Sequence, residues 1–267
     1  MYTVIVHLSM PIADINGIHL NYISEGAGIP LVLLTGFGGD INFWKRTSTK
    51  LSTTYTVIRV DNRGVGSTNC KNDFSIDDMS DDIVSLLEHL GHPKAHIVGW
   101  SMGSHIAQNI AIRHQKNVIS LTLISSYRKR PARSMYILRG AVETVKSGAP
   151  MECLARTING LCYTESFFED MEKKDSIIRL PELDGIDGLQ AQLDAVDGHD
   201  TTCSASRIRC PTLSIHGIDD IMVECSEGDA LADSIEGCRI LRIEGVGHLI
   251  NPDLYLYDLI KHLKDHE

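Results

Sequence analysis

Long hydrophobic runs, paired cysteines and an excess of positive charge are all missing from this sequence. No stretch approaches the ~20 consecutive apolar residues of a membrane helix, which excludes a helical span. The segment from Met1 opens on a short apolar stretch with neither a basic leader nor a small-residue cleavage site, so no secretory signal is expected. The seven cysteines are odd in number, scattered, and contain no C-x-x-C pair. That excludes a disulfide framework or a cysteine-pair zinc site and leads us to expect reduced thiols in a cytoplasmic protein. Lys and Arg number 25 against 35 Asp and Glu, a formal net charge of −10. The average field of such a chain repels phosphates, so nucleic acid and anionic membranes are not expected partners. There is no internal repeat and no low-complexity tract. What is present is ordinary globular material: 43% apolar and 22% charged residues, enough for a large core. A chain of 267 residues suits one α/β domain carrying an inserted subdomain.

Strand and helix signals alternate along the chain. Ile18–Ile23 alternates in polarity. Leu31–Thr35 is a continuous apolar run behind Pro30, as in a strand buried on both faces. Tyr55–Val60 is a further strand, followed by the turn Asp61-Asn62-Arg63-Gly64. Ser75 is placed to cap a helix whose apolar stripe is Ile83, Leu86, Leu87 and Leu90, stopped by Gly91. Strands are expected at Ala95–Val98, Val118–Ile124, Pro211–Ile215 and Arg239–Ile243, with helices over Ser101–His114 and Ser226–Ile235. A last helix is expected to open at Asn251-Pro252 and to bury Leu256, Leu259, Ile260 and Leu263. This alternation predicts a mostly parallel, twisted sheet with helices on both faces. Residues 127–207 break the rhythm. Their pattern is loosely helical, interrupted at Pro131, Gly148-Ala-Pro150, Pro181 and Gly185/Gly188, and reads as a small helical cap. Residues 1–126 and 208–267 then make the core.

Ser101 stands in Gly99-Trp100-Ser101-Met102-Gly103, between a strand and a helix. Ligands of open α/β sheets bind beyond the carboxyl ends of strands, which is where this serine falls. A serine exposed on so tight a turn crowds its neighbours two residues away, and glycine there removes both side chains. A serine hydroxyl needs a base to become a nucleophile, and the base needs an orienting carboxylate. Of twelve histidines only His248 lies between the last strand and the last helix, on the loop Glu244-Gly-Val-Gly-His248. The loop after Pro211–Ile215 offers two adjacent aspartates, Asp219 and Asp220, which cannot easily both point at one imidazole. His216 reads as a packed, hydrogen-bonded residue, and His105 and His114 as structural. Thr35-Gly36-Phe37-Gly38-Gly39 lets the backbone approach a substrate closely. The backbone N–H groups of Phe37 and Met102 are assigned as an oxyanion hole. Trp100, Gly36 and Gly38 are assigned to the substrate pocket, with Phe37 and Met102 beside the acyl group.

These stretches resemble the α/β-hydrolase family, in family order: TGFGG at 35–39, DNRGVGS at 61–67, GWSMG at 99–103, HGIDD at 216–220 and GVGH at 245–248. The resemblance covers nearly the whole chain and implies an α/β-hydrolase fold with a serine nucleophile elbow. Its G-x-x-D spacing selects Asp220 over Asp219. It implies that Asp61 and Arg63 order their turn by ion pairing. Within the family the chain is most similar to the compact enol-lactonase, esterase and C–C hydrolase group. Cys210-Pro-Thr-Leu and Ala230–Arg239 are most like 3-oxoadipate enol-lactonases. It departs by Thr35 where a His is usual, and by Ser104 where the elbow often carries another Gly. Serine at 101 argues against dehalogenase and epoxide hydrolase chemistry, for which the resemblance would require Asp.

The expected activity is therefore hydrolysis of a small carboxylic ester or lactone through an acyl-enzyme on Ser101, with Asp220 and His248, and without metal or organic cofactor. C–C bond hydrolysis by the same three residues, or a ligand sensor of low turnover, are the alternatives. The basic run Tyr127–Arg133 is either solvated surface or a receptor for a substrate carboxylate.

Overall fold

The computed structural model describes residues 11–68, 70, 73–170 and 186–267. The apolar start at residues 1–10 and the interruptions expected at Pro181 and Gly185 lie outside the described residues. The strands are β1 (Ile12–Ile15), β2 (Ile18–Glu25), β3 (Pro30–Leu34), β4 (Thr56–Val60), β5 (Ala95–Trp100), β6 (Val118–Ile124), β7 (Thr212–Gly217) and β8 (Arg239–Ile243). Among the described residues they form one sheet in the order β1-β2-β4-β3-β5-β6-β7-β8. β1 and β2 pair antiparallel with their neighbours, and every pairing from β4 to β8 is parallel. Parallel neighbours require crossovers, and the helices supply them.

The continuous apolar run of β3 has its explanation in two cores. Val32 and Leu34 enter the core beneath α2 (Ile76–His89), α3 (Met102–Arg113) and α8 (Cys225–Asp233). Leu31 and Leu33 enter the other, beneath α1 (Lys45–Leu51) and α9 (Leu256–Lys264). Pro30 is the first residue of the strand, where a missing N–H does least harm. Ser75 caps α2 reciprocally: its hydroxyl accepts from Asp78 N (3.2 Å) and Asp78 Oδ2 accepts from Ser75 N (2.8 Å). The last helix begins later than expected. Asn251 and Pro252 initiate a 3-10 turn, Pro252–Leu254, and α9 starts only at Leu256.

Between β6 and β7 lie α4 (Ala132–Lys146), α5 (Met151–Cys162), α6 (Glu165–Glu169) and α7 (Asp187–Asp197), with no strand among the described residues there. The two ends of the insertion are tied together. Thr201 N donates to Arg128 O at 2.9 Å, and Lys129 and Asp200 form an isolated bridge. The basic run is divided between interior and surface, with Lys129 and Arg133 exposed. Arg130 is buried and donates to the Tyr127 hydroxyl (2.6 Å) and to Ser134 Oγ (3.0 Å). Lys129 pairs with Asp200 and Arg133 with Glu224. Among the described residues no helix is long and apolar enough to cross a membrane, and no cluster of His, Cys, Asp or Glu could hold a metal ion.

Burial pushes His96, His199 and His262 down from 6.5 to about 4 each. The unfolded chain therefore binds protons that the folded chain does not between about pH 6.5 and 4. Stability is full above that window and is lost as pH falls through it. Thermal unfolding at pH 5 is expected at least about 5 °C below that at pH 7. A Tm that stays level or rises on acidification would show that these imidazoles are charged in the fold.

Candidate active site

Ser101 is held where β5 becomes α3, with φ +53° and ψ −119°. A non-glycine residue in such a region costs about 1–3 kcal/mol and persists only where its surroundings impose it. The flanking glycines are what make the turn sterically possible. A methyl group at Gly99 would lie 2.3 Å from Gly103 O, and one at Gly103 would lie 2.3 Å from Leu34 O. The crowding at Gly103 thus comes from β3, not from Gly99. Ser104, standing where relatives often carry glycine, turns its hydroxyl to Ser101 O and to Ser126 Oγ (2.7 Å), bracing the elbow from below.

Three side chains from three loops meet here, all buried. His248 Nε2 lies 2.8 Å from Ser101 Oγ, and His248 Nδ1 lies 2.7 Å from Asp220 Oδ2. Burial pushes the Asp220 carboxyl up. The neighbouring His248, the bond from His216 and the Val223 N–H outweigh it, and the group is held well below the usual carboxylate range. An ionised Asp220 accepts only, so Nδ1 carries the imidazole proton and Nε2 is left to receive one from the serine hydroxyl. Asp219 does not join the group. It is exposed, and its backbone N–H donates to Val246 O at 3.1 Å.

Asp220 is fixed on every side. Its Oδ1 accepts from the backbone of Met222 (2.9 Å) and Val223 (2.8 Å). Its Oδ2 also lies 3.2 Å from His216 Nε2. His216 is indeed packed and hydrogen-bonded, to Val223 O at 3.0 Å, but its contact with Asp220 was not foreseen from sequence. The His248 loop is pinned in turn. The His248 carbonyl accepts from Trp100 Nε1 (3.0 Å) and Ser125 Oγ (2.7 Å), and Leu249 N donates to Cys162 O at 3.1 Å.

The loop at 35–39 lies against the elbow: a methyl group at Gly36 would lie 2.7 Å from the Trp100 ring and 3.1 Å from Ser101 Cβ. Thr35 holds this loop closed, its hydroxyl donating to Gly39 O at 2.9 Å. Met102 is the first residue of α3, so its N–H has no partner within the helix, and the helix dipole adds positive potential there. Phe37, half-buried, and Met102, fully buried, both pack into the larger core. The Gly38 N–H donates to Gln192 Oε1 at 2.9 Å and is not free for a ligand.

Gln192 carried no signal in the sequence. It sits on α7 in the unpatterned insertion, fully buried, and its amide also donates to Arg63 O at 2.7 Å. One side chain thus ties α7 to two of the loops around Ser101. The turn at 61–67 is ordered differently from the resemblance. Arg63 pairs with Asp82 (2.6 Å) on α2, while Asp61 accepts from Ile41 N (2.7 Å), Asn21 Nδ2 (2.7 Å) and Ser67 N (2.9 Å).

A family model described as alpha/beta hydrolase fold matches residues 29–253. The chain belongs to this family. It is 27% identical over 240 residues to the Mycobacterium tuberculosis H37Rv protein with the provisional name non-heme bromoperoxidase BpoC, covering 87% of this chain and 91% of that one. A thermophilic esterase from Thermogutta terrifontis superposes with a TM-score of 0.81 at 26% identity, over 94% of this chain and 95% of the esterase. The enol-lactonase from Burkholderia xenovorans LB400 superposes with a TM-score of 0.84 at 23% identity, over 95% and 100% of the two chains. The latter likeness is one of fold.

Proposed function

We propose that the protein is a serine hydrolase that cleaves a small carboxylic ester or lactone, with residues 127–207 as a cap over the site. The observation that carries this reading is the unbroken chain from Ser101 Oγ through His248 to Asp220, at 2.8 and 2.7 Å. In the reaction, Ser101 Oγ attacks the carbonyl carbon as His248 Nε2 takes its proton. The carbonyl oxygen becomes an oxyanion, bound by the N–H groups of Phe37 and Met102. Collapse expels the alcohol, which takes the proton from His248 and leaves an acyl group on Ser101. Water then attacks, again giving its proton to His248, and the acid departs with Ser101 restored. Asp220 stays ionised and stabilises the imidazolium. No step calls for a metal or organic cofactor. The partner is the small molecule, not a nucleic acid or a membrane. Seven free cysteines accord with a reducing, cytoplasmic setting. The esterase likeness supports ester chemistry. The test is turnover of a panel of p-nitrophenyl esters of short acyl chains, with four- to six-membered lactones. Saturable hydrolysis of at least one member is expected, and none on any member would contradict the reading.

Gln192 acts as a positioning residue in this scheme. Gln192→Ala frees the loop that carries Phe37, and an oxyanion donor displaced by about 1 Å loses much of its effect. The expected result is a fall in kcat of about 10- to 100-fold with KM nearly unchanged. Gln192→Glu, which still accepts from Gly38 N, is expected to fall between. Equal loss in KM and kcat, or no loss, would remove Gln192 from this role.

A further inference from the structure

A well-formed cavity lies beside the Ser101 site and apart from it. It measures about 450 Å³, within the ~300–1,000 Å³ of small-molecule sites. Phe43, Trp44, Trp100, Tyr163, Phe167 and Leu249 form much of its wall, and Ser101, Asp220 and His248 form none of it. Trp100 is the partition: its ring lies in the cavity wall and 5.5 Å from the His248 ring.

We infer that this cavity is a second binding site, for an uncharged, ring-bearing small molecule. The aromatic part follows from the walls. Phe43 stacks on Trp100 with centroids 4.6 Å apart, and Tyr163 stacks on Phe167 at 3.9 Å. Two stacked pairs offer flat, rigid, apolar faces to planar ligands. Neutrality follows from the charges. Arg46 is the one ionic side chain in the wall, and Asp253 already pairs with it. A charged ligand would have to shed its water with no counter-ion waiting. The inference is independent of hydrolysis, since nothing in it requires Ser101 to be a nucleophile.

The site carries its own reporter, because the chain's two tryptophans, Trp44 and Trp100, both stand in its wall. The probe is 6-propionyl-2-dimethylaminonaphthalene, an uncharged naphthyl ketone that absorbs where tryptophan emits. Titrated into the intact protein, it is expected to quench tryptophan emission and brighten saturably at one site per chain. Thr47→Phe, which puts a ring into the cavity wall, is expected to weaken binding at least tenfold. Ser166→Phe, at an exposed wall position, is expected to act in the same direction. Absence of saturable binding, or binding untouched by both filling substitutions, would overturn the site.

Discussion

Replacing Asp220 by Asn is expected to lower kcat by about 10³- to 10⁴-fold, and replacing Asp219 by Asn to change it less than about twofold. The two aspartates are adjacent in sequence and opposite in circumstance. Asp220 is buried and receives hydrogen bonds from His248, His216 and two backbone N–H groups. Asparagine keeps the shape but brings an amide, which can offer His248 Nδ1 a donor where the imidazole needs an acceptor. The opposite tautomer then places a proton on Nε2, and the base is lost. Asp219 is exposed and touches none of these groups through its side chain. The measurement is kcat on the best ester of the panel, with thermal unfolding run beside it to show that both variants fold. Loss in the Asp219 variant alone would transfer the acid's role to it.

Ser101→Ala is expected to lower turnover by about 10⁴-fold or more, leaving only what the oxyanion donors and substrate binding supply. The fold should survive, because the elbow is imposed by backbone contacts that the hydroxyl does not make. Ser101 N donates to Ile124 O at 2.9 Å, and the glycines on either side remain. Retention of more than about 1% of kcat would mean that the serine is not the nucleophile.

Ser101, His248 and the two aspartates could be found in the sequence because each lies on a short loop bounded by a strand that announces itself. β3, β5 and β7 are buried along almost their whole length, β3 as an unbroken apolar run and β5 and β7 with only a few polar residues among theirs, and the loops after them stand out. The elbow was legible for a local reason, since its glycines answer contacts within a few ångströms. What was not legible is long-range. Gln192 reaches Gly38 across 154 positions of chain from a helix with no motif. Arg63 finds Asp82 on α2, and not the aspartate two residues before it, because α2 brings that carboxylate alongside the turn. β1 is four residues long and sits on the sheet edge with a mixed burial pattern, too little periodicity to declare a strand. The start of α9 was misplaced because Asn251 and Pro252 cap a 3-10 turn with the chemistry that also opens α-helices.

The central claim is that His248 and Asp220 make Ser101 a nucleophile, and covalent labelling tests it most directly. A fluorophosphonate is incubated with the wild type, Ser101→Ala and His248→Ala, and the adduct is mapped by peptide mass spectrometry. One phosphonyl group per chain on Ser101 is expected in the wild type, with none in Ser101→Ala and labelling slowed by at least about 10³-fold in His248→Ala. A wild type that stays unlabelled at Ser101, or a His248→Ala variant labelled at the wild-type rate, would contradict it.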